Sequence, residues 1–237
     1  MQISGKYQLG EFIERPNRFI AKVKLSQTNQ ILHAHVADPG RLKELFKPAV
    51  QVYLKESNNP KRKTQFSLVA IKNRDEWINI NSIVANKFIA EKYSSIQLLK
   101  NYNYLKAEYT YGKSRLDFLL KNKNTKKKVL VEVKSVTLKI GEFGFFPDAP
   151  TKRGTKHVFE LIRSINDGYE AIIIFVMKRK GVKGIKPYKK LDPEFASALE
   201  LAHKKGVLLK AFELEYKINS DAEEFLYLKE HPVIINQ

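Results

Sequence analysis

Ala171 to Met177 reads AIIIFVM, seven apolar residues in a row and the longest such run in the chain. A membrane-spanning helix needs about 20, so this segment has the length of a strand. Strand side chains alternate between faces, and a strand that is apolar at every position must be covered on both sides. The run therefore predicts a central strand in a sheet flanked by other layers. With 237 residues, 43% of them hydrophobic, the chain can bury a sizeable core as one large domain or two small ones. Its 43 Lys and Arg against 25 Asp and Glu leave a net charge of +18. Such a charge attracts polyanions, and with no amphipathic basic helix or long apolar span to favour a membrane, DNA or RNA is the expected partner. A lysine-rich solvated surface is the blander account of the same charge. The N-terminal MQISGKYQLGEFIERPNRF has no apolar signal core, and the absence of cysteine excludes disulfides and thiolate zinc sites. Both features suit a cytoplasmic protein.

The first eighty or so residues predict short strands: FIAKVKL (19–25), ILHAHV (31–36), VQVYLK (50–55), FSLVAIK (66–72) and WININ (77–81). Five short strands in one block suggest a small barrel of a kind that often binds nucleic acid. Asp38-Pro39-Gly40 is a turn signal, RLKELF after it reads as a short helix, and SNNPKRKT (57–64) as an exposed basic loop. From about Ser82 the texture changes, which sets domains of 1–82 and 83–237. Apolar residues at near-helical spacing predict a helix around 84–100. Two strands follow, RLDFLL (115–120) and VLVEVKSV (129–136), joined by a solvated tip with five lysines in eight residues. Past an irregular loop, GEFGFFPDAPTKRG, comes a helix with two stripes: Val158, Leu161, Ile162 and Ile165 to pack, and Arg153, His157, Glu160 and Ser164 left free. Asp192-Pro193 caps a further helix that Gly206 ends, and VLLKAFELEY (207–216) is a last strand.

Within VLVEVKSV, Glu132 and Lys134 share a face. If RLDFLL and VLVEVKSV pair as a hairpin, Asp117 and Glu132 face each other with Lys134 on the same side. Two carboxylates in one place repel and need a compensating cation. Mg²⁺ or Mn²⁺, taking oxygen ligands, would supply it, with Lys134 orienting a water or stabilising charge on phosphorus. Alone, an Asp about fifteen residues before Glu-x-Lys also fits an ion pair on a strand face. In context, with a following helix that carries Arg153, Lys156, His157 and Glu160, it is the arrangement of the PD-(D/E)xK nuclease core. Pro147-Asp148 comes after Glu132, so the motif's first half is Leu116-Asp117.

ERPNRFIAKV (14–23), AHVADPGRLKEL (34–45), SRLDFLL (114–120), VEVKSVTL (131–138) and FPDAPTKRGTKHVFEL (146–161) resemble the sugar fermentation stimulation protein family, SfsA, over most of the chain and in the family's order. The resemblance implies a two-domain α+β fold: an N-terminal OB-fold barrel, then a restriction-endonuclease-like domain with a mixed central sheet flanked by helices. It implies DNA binding without marked sequence preference and a regulatory part in sugar, particularly maltose, metabolism. It adds Lys156 and His157 to the catalytic set and, through an Asn-x-x-x-x-Glu pattern at Asn86 to Glu91, Glu91 to the metal ligands Asp117 and Glu132. A DNA-binding regulator in which the nuclease fold is only a scaffold, and an RNA-processing factor, are the rival readings. The oligomeric state stays open, a homodimer included.

Other basic and aromatic residues are further candidates, most with more than one reading. Arg15, Arg18 and Arg41 could contact phosphates, or Arg18 or Arg41 could pair with Asp38 to fix its turn. Arg153 joins the candidate phosphate contacts. Lys178, Arg179 and Lys180 open KRKGVKGIKPYKK, seven basic residues in thirteen, which suits a flexible arm on a phosphate backbone or a solvated loop. Phe143, Phe145 and Phe146 could stack on bases, form a lid or anchor their loop. His33 and His35 share a strand face but lack a third ligand.

Overall fold

The computed structural model describes residues 1–38 and 40–235. The chain divides into two compact units, Met1–Val84 with Glu215–Leu226, and Ala85–Leu214 with Tyr227–Gln237.

The first unit is built on β1 (Gln2–Ser4), β2 (Tyr7–Asn17), β3 (Ile20–Leu25), β4 (Ile31–Val36), β5 (Gln51–Glu56), β6 (Phe66–Asn73) and β7 (Glu76–Asn79). The order β4-β3-β2-β5-β6 closes into a five-stranded OB barrel because β6 gives Phe66–Leu68 to β4 in parallel, then Ala70–Asn73 to β7. Phe12, Val23, Val36, Val52, Leu54 and Ile71 fill the interior. The sequence reading found β3 to β7 and missed β2, on which the barrel is centred. The inward positions of β2 include Gly10, where a Cβ would lie 2.9 Å from the Lys24 carbonyl oxygen, and its register slips twice after Phe12. Apolar alternation is therefore absent although the strand is long. RLKELF is a turn and not a helix, because Leu42 takes a left-handed φ of 45° while Leu42 and Leu45 are buried in the barrel core. Of the Asp38-Pro39-Gly40 turn, Pro39 lies outside the described residues; Asp38 Oδ1 accepts from the Gly40 N–H at 2.8 Å.

The second unit holds α1 (Ile83–Lys92), whose first two residues belong to the barrel unit, then β8 (Tyr102–Tyr111), β9 (Ser114–Asn122), β10 (Lys128–Val136), β11 (Leu138–Ile140), β12 (Phe143–Phe146), α2 (Lys152–Asn166), β13 (Glu170–Met177), β14 (Gly184–Pro187) and α3 (Pro193–Lys204). The strands β15 (Leu208–Ile218) and β16 (Ala222–His231) are shared between the units. The main sheet runs β15-β13-β10-β9-β8, parallel among β15, β13 and β10 and antiparallel from β10 to β8. As AIIIFVM predicted, β13 is buried along its length and central. Ile173 and Phe175 pack with Val158, Leu161, Phe195 and Leu199 of α2 and α3 on one face. On the other, Phe88 of α1 meets Phe212 of β15 at 6.1 Å. The expected helix over 84–100 stops at Lys92 and continues as two 3-10 turns. Asp192 caps α3 through the Phe195 N–H at 3.0 Å, with Pro193 at the first helical position. Part of the irregular loop, as β12, and part of the basic segment, as β14, join β11 in a second small sheet, β11-β12-β14.

Candidate functional site

β9 and β10 pair antiparallel through Val131 opposite Phe118, and the same register carried one step further sets Asp117 opposite Glu132. Regular pairing ends there because Asp117 Oδ2 accepts from the Val133 N–H at 2.6 Å. Asp117 Oδ1 accepts from Asn86 Nδ2 on α1, also at 2.6 Å. Burial, and next the charge on Glu132, push the Asp117 carboxyl up to about 6.

Glu132 is 4% exposed. Its Oε1 accepts from Lys134 Nζ at 2.6 Å and meets His157 Nδ1 at 2.7 Å. Burial raises its pKa, yet Lys134 and His157 together outweigh burial and leave it below the usual carboxylate range. Its Oε2 is buried and accepts no hydrogen bond. Lys134 Nζ lies 6.0 Å from the centre of the Phe146 ring, which is itself wedged against Phe175 and Phe195. The site is thus an acidic pair on the α2 side of the sheet, with one oxygen of Glu132 held by two nitrogen groups and the other without a partner.

Residues 79–220 match the sugar fermentation stimulation protein RE domain, and residues 13–80 match the SfsA N-terminal OB domain. The chain belongs to the SfsA family. A sugar fermentation stimulation protein homolog of Clostridium tetani is 42% identical over 99% of this chain and all of its own length. One from Clostridium botulinum is 43% identical over 90% of this chain and 92% of its own. The structure of Pyrococcus furiosus SfsA in complex with Ca²⁺ superposes with a TM-score of 0.86, at 30% identity over 99% of this chain and 98% of that one. The resemblance read from the sequence, and the two-domain fold it implied, are both found.

Within this SfsA-family chain, Asp117, Glu132, Lys134 and His157 come together. His157 was expected on the free stripe of α2 but is 5% exposed and turned onto Glu132. Its neighbour Lys156 faces outward, where Nζ donates to the Lys113 carbonyl at 2.9 Å. Glu91 stays apart from the pair: it is exposed and lies 3.8 Å from Lys87. Five residues past Asn86 is about 140° around a helix, so an α1 that turns Asn86 onto Asp117 turns Glu91 away. Asn86, named in the sequence only as the start of a pattern, is the residue of α1 that reaches the site.

Several basic candidates are spent on structure. The Arg15 guanidinium donates to the carbonyls of Arg18, Asp38, Gly40 and Arg41 at 2.7 to 3.0 Å and lies over Phe46 at 4.5 Å. Arg15, where Arg18 or Arg41 was expected, fixes the Asp38 turn, through main-chain carbonyls. Lys178 and Arg179 are buried, so the flexible arm is not there: the segment turns under and continues as β14. Arg18, Arg41, Arg153 and Lys180 are exposed. His33 stands opposite Lys22 across the β3–β4 pairing, a cation where a third metal ligand would be needed.

Proposed function

We propose that the protein binds DNA and hydrolyses phosphodiester bonds with the help of Mg²⁺ or Mn²⁺ held by Asp117 and Glu132. The observation that carries this reading is the Glu132 side chain. A buried carboxylate oxygen without a partner is costly, whereas its twin oxygen is held firmly by Lys134 and His157. With Asp117 opposite, the free oxygen suits a hard cation that takes one or two carboxylates. The Ca²⁺ bound to the Pyrococcus furiosus relative is of the same oxygen-seeking class. When bound, the cation would polarise a phosphate oxygen. The chain's own groups do the rest: Lys134 places a positive charge where charge grows on phosphorus, His157 sets the orientation of Glu132, and Asn86 with the Val133 N–H fixes Asp117.

The net charge of +18 and the exposed Arg18, Arg41, Arg153 and Lys180 would draw in the phosphate backbone without regard to sequence. With DNA as its partner the protein would act in the cytoplasm, and the part in sugar metabolism implied by the family would run through DNA binding. Among the described residues no helix is long and apolar enough to cross a membrane.

Plasmid nicking by pure protein across Mg²⁺ and Mn²⁺ tests the reading, with DNA affinity followed against salt. Metal-dependent nicking and an affinity that falls steeply with salt are expected; absence of cleavage with either metal overturns the catalytic half. A second reading, DNA binding with the nuclease fold as scaffold, draws on one observation. Among the described residues no group of three or more histidine, cysteine or acidic side chains is placed to hold a metal.

A further inference from the structure

Adjacent residues of a strand look to opposite faces, and in β12 the two faces have different surroundings. Phe146 lies between Phe175 and Phe195 with the Lys134 ammonium above it. Phe145 turns the other way, into a partly open cavity of about 370 Å³. Small-ligand sites span roughly 300–1,000 Å³, so this one has room for a single nucleotide. Ile140 and the rings of Phe145 and Tyr188, 5.3 Å apart, give it an apolar wall. Lys189 and Lys190, both exposed, stand at its rim, and the Glu200 carboxylate of α3 faces it. On the same sheet face Lys186 Nζ lies 3.7 Å from the centre of the Phe143 ring, so a lysine sits between the Phe143 and Phe145 side of β12 and the cavity rim.

We propose that this cavity takes an unpaired nucleotide of a DNA substrate. Its base stacks on Phe145 and Tyr188, its flanking phosphates meet Lys189 and Lys190, and an exocyclic amine, where the base has one, donates to Glu200. Three observations select this occupant. Aromatic faces bind any base by stacking, lysines at the rim match phosphate, and a single acceptor at the wall matches the amines of adenine, cytosine or guanine. A fully paired base cannot offer its face to the cavity. The preferred substrate is therefore DNA with a single-stranded tail or an unpaired base. The inference rests on the reading that the chain binds DNA, but it does not require that the site at Asp117 and Glu132 cuts.

A duplex with a short 3′ tail ending in 2-aminopurine tests it, titrated in EDTA so that no cleavage occurs. Stacking should quench the 2-aminopurine, and the tailed duplex should bind about tenfold tighter than its blunt counterpart, the scale of one base stacked on an aromatic ring. Phe145→Leu and Tyr188→Leu should each remove the quench and the tail preference while blunt-duplex affinity stays. The exposed pair Lys189→Ser and Lys190→Ser should weaken tail binding while the quench at saturation persists. Equal affinity for tailed and blunt duplexes, or parallel loss of both in every variant, would overturn the proposal. So would binding of the free 2-aminopurine nucleotide as tight as that of the tail, which would make the cavity a small-molecule site. Plasmid nicking by the wild type, measured beside it, keeps the two readings apart: tail binding without nicking sinks only the catalytic one, nicking without tail preference only this one.

Discussion

Glu223 in the barrel unit and Glu132 in the other are both buried among hydrogen-bonding partners, and the two are treated in opposite ways. In the barrel unit, Glu223 of β16 accepts from Asn79 Nδ2 at 2.9 Å and from the Tyr216 and Tyr7 hydroxyls at 3.0 Å each. All these donors are neutral, and burial raises the Glu223 pKa above the usual range. In the other unit, burial of Glu132 is outweighed by Lys134 and His157 and the pKa falls. Glu223 has both oxygens satisfied; Glu132 has one oxygen held and one without a partner. A carboxyl surrounded by neutral donors can keep its proton and act as a fastener, here joining Tyr7, Asn79 and Tyr216 from three strands. A carboxylate held charged by cations, with an oxygen to spare, is suited to a metal.

Substituting each in turn tests that contrast, and the largest effect is expected at Glu132. Glu132→Gln should lower metal-dependent nicking by on the order of 10²–10³, since a catalytic cation contributes several kcal/mol and each 1.36 kcal/mol is tenfold in rate. Glu223→Gln should leave nicking unchanged in the same plasmid assay. Equal loss in both variants would mean that the assay reads folding and not chemistry. Next in size is His157→Asn, which removes a group that orients Glu132 without touching substrate. A fall of about 10–100-fold is expected, with circular dichroism and DNA affinity in EDTA unchanged.

The third effect is on stability and has a definite sign. Because the folded state raises the Glu223 pKa, the fold favours the protonated carboxyl. That contribution is fully present below the unfolded pKa and is lost as pH rises through the folded one. Glu223→Gln is neutral at every pH, so it should melt above wild type at pH 8 and no higher at pH 4. Each kcal/mol relieved moves the midpoint by about 2–4 °C in a chain of this size. A gain of equal size at pH 4 would show that the wild-type carboxyl is not burdened by charge.

How much of this was legible in the sequence depended on whether side-chain pattern or backbone geometry carried the information. The β4 and β13 strands and the Asp192-Pro193 cap were readable, because alternation, apolar length and capping chemistry are written residue by residue. Asp117 opposite Glu132 followed from counting across one hairpin. β2 was hidden by Gly10 and its register slips, and β8 because most of its residues are exposed. Helical spacing put His157 on a stripe with Arg153 and Glu160, but only the packed structure shows that this stripe turns inward at His157. Lys178 and Arg179 misled for a related reason: charge predicts exposure unless the chain finds a use for it inside.

The smallest predicted effect distinguishes sequence pattern from geometry most cleanly. Asn86 and Glu91 lie five residues apart on α1, and the family resemblance marks both. The structure engages them differently. Asn86 donates to Asp117 at 2.6 Å, whereas Glu91 lies 3.8 Å from Lys87 in an exposed i,i+4 pair of a kind that contributes about 0.3–0.5 kcal/mol. Glu91→Ala should therefore leave nicking within about twofold of wild type and shift the melting midpoint by no more than about 2 °C. Asn86→Ala, which frees Asp117 Oδ1 and loosens its side chain, should cut nicking about tenfold or more. If Glu91→Ala lost activity as severely as Asn86→Ala, α1 would have to turn on binding metal or DNA to bring Glu91 inward, and Asn86 could then not keep its hold on Asp117. A pair of nicking assays therefore reports on the helix as well as on the two residues.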